Sequence, residues 1–308
     1  MTVVDGPVAR SERGRRWRDR VAADVTAIGG DLLPRTRAAV PWADRLRIEA
    51  FTVRRSERCL AMLAGPDAEF VETAATARRR ASLAVLRALA DDPRLDPAAA
   101  WARVLDDPDA LPYGLLDWLD SLGPGGRSAV GAAAVSRAVA LAGWLHPARL
   151  DAIAVARPSD ALEWRVPGTP VFVRGRVDAR SGPASPAERR LLVVVDTGWD
   201  PDAIAVETAH AALAATLNGA AVPARVTWVH LPTGRSVRID PTDEVLEGAA
   251  ARIGAAVVAL LAARFGPPAP PTPGHWCATC RRRADCATGS AHLAARTPRV
   301  GGLPVPSG

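Results

Sequence analysis

The spacing of apolar and polar positions divides the chain near residue 161 into a helical half and a half that alternates. From Trp42 to Leu63 the apolar positions recur at helical spacing, with Leu46, Ile48, Phe51, Cys59, Leu60 and Leu63 available to one face. Ala68–Ala90 predicts a second helix, with arginines at 78, 79 and 80 and leucines at 83, 86 and 89; Asp91-Asp92-Pro93 stops it. The stretch Pro97–Pro147 is helical in character, broken by the GPGG at 123–126 and resumed as an alanine-rich helix over Arg127–Leu145. From Ala161 the period shortens to two. Val171–Asp178 alternates as a strand ending at the GPASP turn of 182–186, and Leu191–Val195 is apolar throughout, the mark of a central strand buried on both faces. A helix over Ala203–Leu217, strands over Ala224–Leu231 and Arg235–Asp240, and a long helix over Glu244–Phe265 complete the pattern. This order predicts an α/β domain on a small mixed sheet.

The same pattern sets expected boundaries. Residues 1–40, rich in arginine and short of large apolar side chains, read as a mobile or loosely docked arm. Its Arg10, Arg13, Arg15, Arg16, Arg18 and Arg20 are either phosphate contacts or a solvated charge run. Residues 41–289 form the main domain: a helical part over 41–160, a sheet core over 161–265, and a cysteine segment over 274–289 joined by Cys59. The proline-rich GPPAPPTPG precedes that segment, and 290–308 reads as a flexible tail.

Composition narrows the chemistry. The net charge of +6 and pI near 10.2 favour a polyanionic partner. All 39 basic residues are arginine, which excludes Schiff-base catalysis and a P-loop, because both require lysine. The N-terminus lacks the apolar segment of a secretory signal, and the apolar run Ile253–Leu261 is too short to span a bilayer. A cytoplasmic protein without a membrane partner is the expectation. In a reducing compartment its four cysteines are metal ligands or buried thiols rather than disulfides.

Three cysteines cluster as Cys277-x2-Cys280-x5-Cys286, and the fourth, Cys59, lies far upstream. That arrangement predicts a four-cysteine metal site tying distant parts of the chain together. Soft thiolates suit zinc and iron–sulfur alike, so the residues alone leave both open. Asp178 and Asp196 each end a strand, and adjacent antiparallel strands would bring the two carboxylates to one sheet edge, where they could hold Mg²⁺; turn-forming and solvating roles are the alternative.

Gly175-Arg176-Val177-Asp178 and Val194-Val195-Asp196-Thr197-Gly198 resemble the Gly-x-x-Asp and Val-Val-Asp-x-Lys-Thr-Gly strands of the PD-(D/E)XK nuclease superfamily, in its RecB-like branch. Some members, including AddB-type helicase–nucleases and CRISPR-associated iron–sulfur exonucleases, carry one cysteine before the nuclease core and three after it. Cys59 with Cys277, Cys280 and Cys286 is similar to that framework. The resemblance covers Ile48 to about Gly289. It implies a restriction-endonuclease-like mixed sheet flanked by helices, a [4Fe-4S] cluster on the four cysteines, and Asp178 and Asp196 as ligands of Mg²⁺ or Mn²⁺. Glu163 is a weaker acidic candidate before the first strand.

The chain also departs from the family. Gly198 stands at the lysine position, or that position is missing, and no other lysine exists to replace it. Val71–Leu89 holds no early-helix histidine, and Glu207 and Ala211 occupy the positions of the glutamine–tyrosine helix motif. The resemblance therefore implies a DNA-binding, nuclease-like iron–sulfur protein whose cutting is lost or reduced. The alternatives are an active metal-dependent DNA exonuclease or endonuclease, and a scaffold in a repair or defence complex. Zinc stays the alternative at the cysteines, and Mg²⁺ or Mn²⁺ is implied only if the nuclease site works. His210, on the helix beside that site, is a ligand, a base or a packed side chain; His146, His230, His275 and His292 receive no role.

Overall fold

A computed structural model describes residues 7–37, 46–63, 73–107, 110–111, 114–145, 153–155, 162–182, 186–195, 200–280 and 282–296. The apolar run of the sheet half forms β6 (Arg190–Val195), the middle strand of a five-stranded sheet. Its neighbours run in the order β2 (Ile153–Val155), β5 (Ala179–Ser181), β6, β7 (Arg225–His230) and β8 (Arg235–Ile239). β6 and β7 are parallel and are joined by α7 (Pro201–Gly219); the other pairings are antiparallel. A parallel pair needs such a crossover, because a tight turn cannot return the chain in the same direction.

Alternation along β6 divides the interior into two cores. Leu191, Val193 and Val195 face one, built with α7, α8 (Asp243–Phe265), α2 (Ala50–Arg58) and α1 (Pro7–Arg37). Leu192 and Val194 face the other, built with α3 (Ala74–Asp91), α4 (Pro97–Asp106), α5 (Leu115–Ser121) and α6 (Gly123–Leu145). The molecule is thus a mixed α/β fold with helices on both faces of the sheet. Helix starts follow their capping residues. The Asp96 side chain accepts from the Ala98 and Ala99 amides with Pro97 in the first turn, and Asp200 does the same for Asp202 and Ala203 ahead of α7.

The GPGG of 123–126 opens α6 instead of breaking a helix, residues 290–296 of the expected tail belong to a helix over Ala287–Arg296, and four larger expectations change. The alternating run 171–178 is not one strand. β4 (Val171–Gly175) belongs to a second sheet, between β1 (Leu46–Ile48) and β3 (Leu162–Arg165), whereas β5 belongs to the first. Residues 176–178 carry the chain between the sheets. Second, the described part of the segment expected to be helical from Trp42 opens on a strand: β1 pairs parallel to β4, with Leu46 beside Val171. Third, α8 is long and apolar enough to cross a membrane by length and composition, contrary to the expectation from its apolar run. It is a core helix here, burying Leu246, Ala249, Ile253, Ala256, Val257, Leu260 and Leu261.

The fourth correction is the arm. Residues 7–37 form α1, whose Trp17, Val21 and Val25 recur every fourth position and are buried in the first core. Burying each such side chain stabilises by roughly 1.5–3 kcal/mol. Its arginines are tied down rather than spread for phosphate. Arg10 donates to the Ala187 carbonyl at 2.8 Å, and Arg18 donates to the Leu217 and Asn218 carbonyls at the end of α7. Arg13 pairs with Asp243 at 3.3 Å and Arg20 with Glu247. Arg15 and Arg16 remain exposed. At Gly14 a Cβ would stand 2.5 Å from the backbone of Ala220 and Ala221, so only glycine allows this approach of α1 to the end of α7.

Candidate functional site

The passage between the two sheets places Asp178 at the centre of the molecule. The Asp178 amide donates to the Leu192 carbonyl at 2.8 Å, which holds it beside the middle of β6. Its carboxylate is only 5% exposed. One oxygen accepts from Arg79 Nη1 of α3 at 2.7 Å; the other accepts from the Val194 amide at 2.6 Å and lies 3.4 Å from Arg176 Nε. Arg79 answers this by burial: removal from water lowers its pKa from the ordinary guanidinium value, and the Asp178 charge opposes that shift. The arrangement is a closed ion pair with an amide donor, and the carboxylate has little left to offer a divalent cation.

Around this pair lies a cavity of about 460 Å³. Among the described residues, six arginines line it (54, 79, 80, 87, 174 and 176) against three carboxylates, Glu49, Asp178 and Glu207. Each carboxylate meets an arginine of the same wall: Glu207 with Arg54 at 2.9 Å and Glu49 with Arg174 at 3.2 Å, besides Asp178 with Arg79. Gly175 sets the geometry of the wall. A Cβ there would come within 2.4 Å of the Ala214 Cβ, so the absence of a side chain lets α7 lie directly on β4. That contact brings Glu207, His210 and Ala211 of α7 into the cavity with Arg174–Asp178.

His210 is 3% exposed. Its Nε2 lies 2.9 Å from the Arg174 carbonyl, which can only accept, so Nε2 carries the proton and Nδ1 bears the lone pair. Nδ1 is buried and has no hydrogen-bond partner among the described residues. Burial lowers the imidazole pKa from 6.5, against the opposing effects of the Arg174 carbonyl and Glu207. His210 is therefore a neutral acceptor in a wall otherwise rich in donors.

The cysteine segment folds back on the helix that precedes Cys59. The Thr272 amide donates to Cys59 Sγ at 3.3 Å, Arg282 donates to the Ala61 carbonyl at 2.7 Å, and the Arg58 guanidinium lies 5.9 Å from the Trp276 ring centre. Amides also donate to Cys277 Sγ from Gly274 at 3.5 Å and to Cys286 Sγ from Gly289 at 3.3 Å. A Cβ on Gly289 would stand 3.3 Å from the sulfurs of both Cys277 and Cys286, which places both beside one backbone position. None of the four forms a disulfide. The donor set suits a thiophilic metal, but among the described residues no three such side chains converge closely enough to hold a metal ion as they stand.

Asp178, Glu207, His210 and Ala211 thus share one cavity. Glu163 does not join them: it sits on β3 opposite Arg174, 4.0 Å from Arg47, in the smaller sheet. Asp196 and Gly198 lie outside the described residues, as does His146. Glu49, Arg54, Arg79 and Arg174 were missed by sequence reasoning as site residues. The triple arginine of α3 was the visible signal, but nothing in its spacing says which member turns inward. No family model and no curated protein matches the chain.

Proposed function

We propose that this chain is a nuclease-like DNA-binding protein in which cutting is lost or reduced. The observation that carries the reading is the Asp178 carboxylate, held by Arg79 and the Val194 amide where the resemblance calls for a metal ligand. Nuclease chemistry of that kind needs carboxylates to position a divalent ion and a group to polarise the attacking water. Here an arginine, which cannot act as a base, neutralises the carboxylate directly. The restriction-endonuclease-like fold is part of the proposal. Its support is the strand passage ending at Asp178, with α3 and α7 lining the same cavity.

The four cysteines are proposed to hold a [4Fe-4S] cluster that fastens the C-terminal segment to α2. The amide donors to three of the sulfurs support this, because such bonds accompany thiolate ligation of clusters. When bound, the cluster supplies a structural clamp. The cytoplasm is the proposed compartment.

The test is incubation with single- and double-stranded DNA in Mg²⁺ or Mn²⁺. The expected result is binding that weakens steeply with salt and no cleavage. Cleavage that Asp178→Ala abolishes would overturn the reading in favour of an active nuclease, and failure to bind DNA at low salt would overturn it in favour of a scaffold. The cluster is tested separately: a visible absorption shoulder that bleaches under reductant is expected, and a colourless protein with stoichiometric zinc would contradict it.

A further inference from the structure

Two features of the arginine-walled cavity specify its ligand more narrowly than nucleic acid in general. The first is charge. Among the described residues its lining carries six guanidinium groups and three carboxylates, and each of these carboxylates is already paired within the wall. Counted over that lining the balance is positive, which favours an anion over a divalent cation. Arginine forks also match the oxygen geometry of phosphate. The second feature is His210 Nδ1, a buried acceptor without a partner among the described residues. Leaving such a group unmet costs about 1–3 kcal/mol, and a ligand that brings a hydrogen recovers it. Arg54 Nε, also buried and without a hydrogen-bond acceptor, shows that the wall has a donor to offer as well.

The ligand must therefore carry negative charge and an acidic hydrogen on one group. A phosphomonoester does, since its second pKa of about 6 leaves one P–O–H in part of the population near that pH. Sulfate has the same shape but no hydrogen to give. Phe51, Leu83, Val193 and Ala211 add an apolar portion to the lining, and the 460 Å³ volume falls within the range of roughly 300–1,000 Å³ common for small organic ligands. There is room for an organic substituent as well as the phosphate.

The geometry points to a metal-independent phosphomonoester site, in which guanidinium groups hold the phosphate oxygens and the P–O–H donates to His210 Nδ1. This deepens the DNA-binding reading and rests on it only for the macromolecular source: the group arrives either as a free nucleotide or as the phosphorylated end of a strand.

The experiment is calorimetric titration of the full chain at pH 6 with EDTA present. The probes are inorganic phosphate, sulfate, adenosine 5′-monophosphate, adenosine, and a short single-stranded oligonucleotide with and without a 5′-phosphate. Phosphate and the mononucleotide should each saturate one site, with sulfate weaker by about tenfold, the worth of one hydrogen bond; adenosine should not bind. A matching preference for the phosphorylated oligonucleotide identifies the strand end as the source, and its absence identifies the free nucleotide. Arg54→Gln should weaken phosphate and sulfate together, whereas His210→Leu should abolish the preference between them. If His210→Leu does not fold, the wild-type comparison and Arg54→Gln still decide. Equal affinity for phosphate and sulfate, a requirement for Mg²⁺, or no saturable binding would overturn the inference. DNA binding that ignores both the terminal phosphate and the free ligands would sink this site and leave the DNA reading standing. Phosphate binding without DNA binding would do the reverse.

Discussion

Two arginine-rich regions of this molecule use the same side chain in opposite ways. Along α1, Arg10 and Arg18 reach backbone carbonyls, and Arg13 and Arg20 reach carboxylates that are more than half exposed. In the cavity, Arg79 is mostly buried and meets a carboxylate that is 5% exposed. The first set ties a helix to carboxylates that water still reaches. The Arg79 pair instead holds a carboxylate inside the fold, where water barely reaches it. Charge count is therefore a poor guide to function in an arginine-only protein, and the degree of enclosure is a better one.

Breaking the enclosed pair should have the largest effect. Asp178→Ala strands Arg79 in the interior and should cost about 3–5 kcal/mol in chemical denaturation, the range for an orphaned buried charge. A loss below about 1 kcal/mol, the value for surface pairs, would erase the contrast between the two regions.

Acid should come next, again in the cavity. Both the folded and unfolded forms of His210 are neutral well above 6.5, so its contribution is complete there. Below 6.5 the unfolded chain takes up a proton that the buried imidazole refuses, and stability falls as pH drops toward the lowered folded pKa. Replacing His210 by Asn should flatten that part of the stability–pH curve, measured between pH 7 and pH 5. An unchanged slope would remove His210 from the account.

Along α1 the effects should be small. Arg18→Ala removes the guanidinium from the final carbonyls of α7 and should cost about 0.5–1 kcal/mol by the same denaturation measurement. Arg20→Ala should leave the melting temperature unchanged, because its pair with Glu247 is open to solvent. A large effect at Arg20 would mean that the rim of α1 is as tightly coupled as the cavity.

Much of the sheet half was legible because its signals are local. Leu191–Val195 is an unbroken apolar run, and the structure makes it the central strand β6; α7, β7, β8 and α8 begin and end within a few residues of the pattern that predicts them. The split of 171–178 was not legible, because period-two alternation continues unchanged while the chain leaves one sheet for another. β1 was hidden for a related reason. Its three residues acquire strand geometry only from β4, more than a hundred positions away, as Leu46 meets Val171. The Trp17–Val21–Val25 stripe was present in the sequence but masked by the arginines between. The Arg79–Asp178 pair could not be read at all, since its partners stand 99 positions apart without a repeating pattern. Gly175 was visible as part of a motif; its physical reason, the approach of α7 to β4, required the fold.

The docking of α1 has a consequence for synthesis. Its hydrogen-bonding partners lie between Ala187 and Glu247, far behind it in the order of translation. At about 5–20 residues per second the helix waits on the order of ten seconds or more outside the ribosome before its docking surface exists. During that interval Trp17, Val21 and Val25 lack the cover that α7 and α8 later give them, so α1 is made well before it can find its place.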